Sequence, residues 1–158
     1  VLIFPFPKCT AHVVTKGFSE QTSHVIDLCV FENTDTPFRN GSFFKMNHTV
    51  IAGEKLSTVL HLLPSHEIFK GHFPGMPVVP GVCMVEMMKE ILEEVVGKKT
   101  KMKKAGNIKF LHVLDPNAYP EIEAELKIKE SENTFIVTAK IHKGDLVFFK
   151  MDAVFVAE

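Results

Sequence analysis

At 158 residues the chain has room for one domain with a real core and not comfortably for two. Apolar residues at 46% and charged residues at 23% argue against a disordered chain, and a net charge of -1 argues against whole-chain binding to nucleic acid or a membrane surface. With 14 phenylalanines, one tyrosine and no tryptophan, the core has to be built from Phe and aliphatic side chains. Cys9, Cys29 and Cys83 fall at no metal-ligand spacing, and an odd number forms no closed disulfide framework. Reduced thiols in a cytoplasmic protein are the expectation. The opening Val1–Pro7 is apolar but broken by two prolines and lacks a basic leader, which reads against a signal peptide. No run is long enough to cross a bilayer.

Residues 1–42 show weak periodicity, one strand at about His24–Phe31 and a turn-rich piece, Glu32–Pro37. They read as an N-terminal extension whose role the sequence does not assign, ahead of a domain over 43–158. From Phe43 the pattern sharpens. Phe44–Ile51 and Lys55–Leu63 are rich in β-branched and aromatic residues and predict two strands joined at Ala52-Gly53-Glu54. A Pro- and Gly-punctuated loop runs from Pro64 to Pro80. A helix follows over about Gly81–Val96, closed by Gly97 at the position where a left-handed residue ends a helix.

After a lysine-rich turn, four more strands are expected at Lys104–Leu114, Glu121–Glu130, Thr134–His142 and Asp145–Val156. The breaks Ser131-Glu132-Asn133 and Lys143-Gly144 are short enough for hairpins. Two strands, one long helix and a run of antiparallel strands predict an α+β fold, with a curved sheet around one helix.

The informative segment is His66–Val82. Three prolines stiffen it, and its glycines allow close backbone approach. A stiff loop that ends in a helix can pre-position His72 as a base, and it is equally compatible with a structural role. The first N–H groups of the helix, at Gly81 and Val82, lack intrahelical partners and suit a developing oxyanion. Glu86 is the first carboxylate of the helix. On a wheel, Met84, Met88, Ile91, Leu92 and Val95 form one apolar stripe, and Glu86, Lys89, Glu90 and Glu93 lie opposite. Glu86 is then either one more solvated charge or, one turn beyond apolar Val82 and Cys83, a partly desolvated acid.

Gly71-His72-Phe73-Pro74, Pro77, Pro80-Gly81-Val82 and Glu86 fit the pattern GHFPxxPxxPGVxxxE without insertion. That pattern resembles the signature of the β-hydroxyacyl-acyl carrier protein dehydratases, and the resemblance extends more weakly through Asn107–Phe110. It implies a hot-dog fold and an active site shared by two protomers. In that site His72 takes the proton next to the thioester, Glu86 of the other protomer protonates the departing hydroxyl, and the Gly81 N–H holds the enolate-like oxygen. Phe69, Phe73 and Val82 are candidates for the mouth of an acyl tunnel, with core packing as their other reading. The resemblance further implies no cofactor or metal, an acyl carrier protein as partner, and a homodimer or trimer of dimers, without nucleic acid or membrane. A hot-dog thioesterase or a non-catalytic acyl-binding protein are the competing readings.

Two features depart from the family pattern. Glu90 stands where glutamine is frequent, one turn from Glu86, and Met87 and Met88 stand where small residues are favoured. Cys83 reads as a small buried hydrophobe, having no evident base. The run Lys98–Lys104 reads as a solvated turn, or as a patch that steers an acidic carrier protein. His48, His61, His66, His112 and His142 have no comparable motif.

Overall fold

The computed structural model describes Asp27–Leu28 and residues 43–158. Strands β1 (Asp27–Leu28), β2 (Phe44–Ala52) and β3 (Lys55–Leu62) are followed by a short helix α1 (Ile68–Gly71) and the long helix α2 (Gly81–Val96). Strands β4 (Thr100–Phe110), β5 (Glu121–Ser131), β6 (Thr134–Lys143) and β7 (Leu146–Ala157) complete the order. All pair antiparallel in one sheet, β1-β2-β3-β5-β6-β7-β4, so β4 is an edge strand although it lies mid-chain. This is the curved α+β sheet around one helix that the pattern predicts.

Alternation decides which face of the sheet is dry. Leu56, Leu60 and Leu62 of β3, Ile122, Ala124 and Leu126 of β5, and Phe135, Val137, Ala139 and Ile141 of β6 are buried. Phe149, Met151, Ala153 and Phe155 of β7 continue that face, and α2 packs into it with Met84, Met87, Met88, Ile91, Leu92 and Val95. Each fully buried Phe, Leu or Met contributes roughly 1.5–3 kcal/mol. Between β2 and β3, Gly53 turns the chain at φ 60, a conformation that a Cβ would strain.

The helix bounds match the sequence expectation. Extended Pro80 precedes Gly81, and Gly97 ends the helix at φ 67 with its N–H on the Glu93 carbonyl at 2.9 Å. The polar stripe is where the wheel fails. Glu90 is 3% exposed and Glu93 7%, because the sheet wraps the helix on more than one side.

The fourth strand also differs. It begins at Thr100, not Lys104, so Lys101, Lys103 and Lys104 belong to a strand and only Lys98 and Lys99 to the turn. Thr100, Met102 and Lys104 lie opposite Ala157, Phe155 and Val154, which take up the end of β7. Lysines on an exposed edge are compatible with such pairing and discourage a stray strand from adding. The strand stops at Phe110, not Leu114, because Leu111 and His112 both turn their N–H to the Phe148 carbonyl and leave the ladder.

Of the expected strand His24–Phe31, Asp27 and Leu28 pair with Ile51 and Val50. Its remaining residues, the Glu32–Pro37 turn, Cys9 and Cys29 lie outside the described residues. Among the described residues no helix is long and apolar enough to cross a membrane.

Candidate active site

The loop between β3 and α2 is held at both ends. Phe69 of α1 is buried, 6% exposed, and stacks on Phe43 with ring centroids 5.7 Å apart. The His66 ring meets Phe43 edge-on and its Nδ1 accepts the Ile68 N–H at 3.1 Å. Farther on, the Val79 N–H bonds the Leu114 carbonyl at 2.9 Å.

Between these anchors His72 is fixed by its own backbone and ring. Its N–H bonds the Ile68 carbonyl, and its carbonyl accepts the Val78 N–H at 3.0 Å. The peptide that follows, His72–Phe73, is cis. Ring Nδ1 lies 3.3 Å from the Val78 carbonyl. A carbonyl only accepts, so Nδ1 is the donor here, and the tautomer of a neutral ring is the one with its lone pair on Nε2. Phe73, half exposed, stacks on the imidazole at 4.4 Å. The Phe73–Met76 turn closes through Gly75 at φ 78.

At the start of α2 no side chain caps the helix. The Pro80 carbonyl takes the N–H groups of Cys83 and Met84, so those of Gly81 and Val82 come before the first helical bonds. Beside this turn lies a cavity of about 660 Å³ lined by Val82, Cys83, Val85, Glu86, Ile108 and Phe110. Its wall is apolar apart from Glu86 and the Cys83 thiol. Val82 is 76% exposed and Phe110 55%, so this apolar corner is open in a single chain.

Glu86 is therefore neither fully wet nor dry. Its side chain is 37% exposed, and Lys89 Nζ reaches it at 3.3 Å. Burial pulls the Lys89 ammonium down, but Glu86, Glu93 and Glu158 outweigh that and hold its pKa above the usual lysine value. Burial, followed by the Glu86 charge, pushes the Cys83 thiol up, which keeps it a thiol and no nucleophile.

Within one chain the structure puts Val82 and Glu86 on one cavity wall, with Gly81 against the Phe110 ring beside it, but leaves His72 off that wall. Phe69 sits in the core beneath the loop, and Phe73 stands at the surface beside His72. Glu90 is buried and is not a free carboxylate, and Met87 and Met88 are fully buried in the core. Sequence reasoning missed Phe110. A Cβ built on Gly81 would lie 2.7 Å from two atoms of its ring, so this glycine and that ring form one wall. The alternation of Ile108 and Phe110 along β4 was the available signal. No three His, Cys, Asp or Glu side chains among the described residues are grouped to hold a metal ion.

Residues 48–147 match the family profile of the ApeI-like proteins, described as ApeI dehydratase. The chain is 33% identical over 109 residues to the 3-hydroxyacyl-[acyl-carrier-protein] dehydratase FabZ of Caldicellulosiruptor saccharolyticus, covering 61% of this chain and 78% of that one. Its identity to the FabZ of Pediococcus pentosaceus is 28% over 100 residues, covering 59% of this chain. There the match spans 66% of the relative, just under two thirds of its length. The fold is similar to that in the dehydratase heterocomplex ApeI:P from Xenorhabdus doucetiae. That match has a TM-score of 0.58 and 18% identity, covering 70% of this chain and 96% of that one.

Proposed function

The chain belongs to the hot-dog dehydratase family of the ApeI-like proteins, and from that premise we propose that it dehydrates a (3R)-3-hydroxyacyl thioester carried by an acyl carrier protein. The product is the trans-2-enoyl thioester. One observation carries the reading: a tautomer-fixed histidine and an apolar cavity with one carboxylate lie in the same chain but do not meet.

A second copy resolves that separation. Strand β4 is an edge with an exposed side, and Phe110, Leu111 and Val113 are exposed at its end, next to the Glu86 cavity. Seated there, a partner protomer would cover the apolar corner and bring its His72 to the Glu86 of the first. His72 Nε2 removes the proton at C2 of the substrate, and protonated Glu86 donates to the hydroxyl leaving C3. Water departs, the C2–C3 double bond forms, and the thioester stays intact. The Gly81 N–H holds the carbonyl oxygen as charge builds on it. The setting we propose is the cytoplasm, with no cofactor in the step.

The purified protein should convert a 3-hydroxyacyl thioester to an enoyl thioester without releasing thiol. Thiol release from a saturated acyl thioester would point instead to hydrolysis. Co-expressing His72→Ala with Glu86→Gln tests the shared site. A mixed dimer has one intact site of its two, so random pairing restores about a quarter of wild-type turnover. No recovery would place both residues in one chain.

A further inference from the structure

The outer face of the sheet, opposite α2, carries a groove of about 500 Å³ that the dehydratase reading does not use. Its wall holds five lysines, Lys55, Lys109, Lys127, Lys140 and Lys150, against two carboxylates, Glu125 and Asp152. The strand registers turn that excess into a line. Lys55 of β3 lies opposite Lys127 of β5; in the next cross-strand row Lys140 of β6, Lys150 of β7 and Lys109 of β4 stand side by side. One lysine per strand thus crosses five neighbouring strands as a diagonal stripe, with Glu125 on one flank and Asp152 on the other.

The carboxylates neutralise only part of the stripe. Glu125 is taken by Lys140 at 3.2 Å and by His142 at 2.9 Å. Burial pushes its pKa up, but those two partners together pull it below the usual carboxylate range. Asp152 accepts the Thr138 hydroxyl, and Lys127 reaches Glu54 only at 3.9 Å. Lys55, Lys109 and Lys150 have no carboxylate partner among the described residues. Like charges directly opposite across a ladder are destabilising, so the Lys140-Lys150-Lys109 row is held at a cost in stability. A surface that keeps such a cost is what a binding function produces.

We propose that this stripe is a docking surface for an acidic α-helix of a partner protein, laid diagonally across the outer face of the sheet. Adjacent strands are roughly 4.8 Å apart, so the lysines run over about 19 Å. Carboxylates at i, i+3 and i+4 of a helix recur every 5–6 Å or so, and about thirteen helical residues cover that length. A single phosphate reaches too few of these lysines to use the line, and the groove wall offers no aromatic ring to a nucleotide base. The site stands on β4 back to back with the candidate active site: Asn107 and Lys109 face the groove, Ile108 and Phe110 the cavity. Docking is therefore independent of the dehydratase reading.

The test uses the full chain and a fluorescent fourteen-residue helical peptide with glutamates at i and i+4, beside the same peptide with glutamines. We expect saturable binding of the glutamate peptide that weakens with added salt, and none of the glutamine peptide. The Lys150→Glu variant, changed at the centre of the row, should lose about tenfold in affinity. Its melting temperature should not fall, since a glutamate at 150 faces Lys140 and Lys109 across the ladder and relieves the lysine row, and its turnover on a hydroxyacyl thioester should match the wild type. Equal binding of both peptides, unchanged binding by the variant, or no binding of either peptide would overturn the proposal. So would tighter one-to-one binding of inorganic tripolyphosphate, which would make the groove a small-anion site.

Discussion

Glu86 and Glu93 lie two turns apart on α2, and their surroundings share little beyond Lys89, which stands 3.3 Å from one and 3.7 Å from the other. Glu93 is buried and fully engaged. One oxygen takes the Thr100 N–H at 2.7 Å and the Thr100 hydroxyl at 3.3 Å, and the other takes Lys99 at 3.1 Å. Glu86 faces an open apolar cavity and has only the reach of Lys89. The helix is also capped by Gly97 at one end and has no side-chain cap at the other. Two carboxylates of the same type on one helix thus differ in availability: one ties α2 to β4, the other faces an open apolar cavity with only Lys89 in reach.

The largest expected effect breaks the comparison at the available end. Glu86→Gln should lower kcat by about 10²–10⁴-fold, the usual contribution of a positioned acid, while urea denaturation shows wild-type stability. A variant that loses stability and keeps its turnover would make Glu86 the structural residue of the two.

Next comes Glu93→Ala, which leaves the buried Thr100 N–H without its carboxylate acceptor, while Lys99 and Lys89 can turn to water. Leaving one buried donor unsatisfied costs about 1–3 kcal/mol. Turnover per folded molecule should be unaffected. Glu93→Gln keeps an acceptor for Thr100 and should recover part of the loss.

A smaller effect tests the wall of the cavity. Gly81→Ala puts a Cβ 2.7 Å from the Phe110 ring, closer than any real contact. The ring is half exposed in the single chain and can shift without disturbing the core, so the stability of the fold should change little. A displaced ring misplaces the substrate, and kcat/KM should fall by about tenfold or more. In a Phe110→Ala background the same change should have almost no effect. Additive losses would separate the two residues.

What was legible in the sequence follows the same division. The bounds of α2 were readable because Pro80 and Gly97 punctuate it locally, and β5 and β6 because apolar residues alternate every second position. The start of β4 was not readable, since Lys101, Lys103 and Lys104 look like a solvated turn until β7 is known to need a partner. Burial of Glu90 and Glu93 was hidden for a related reason: a wheel assumes one wet face, and the sheet leaves α2 little of one. His72 and Glu86 stood out through a motif with fixed spacing. Phe110 did not, because its contact with Gly81 depends on how an edge strand crosses the helix start.

The smallest effect belongs to the capped end. Gly97 sits at φ 67, and an L side chain there costs about 1–2 kcal/mol of left-handed strain. Alanine also restricts the unfolded chain, which returns roughly 0.4–1 kcal/mol, so Gly97→Ala should destabilise by about 1 kcal/mol or less. Its N–H still reaches the Glu93 carbonyl, and the Glu93 carboxylate keeps Thr100. Turnover should therefore stay at the wild-type level while the urea midpoint drops slightly. If turnover falls with it, the tie at the end of α2 also positions Glu86, and the two carboxylates act as one unit.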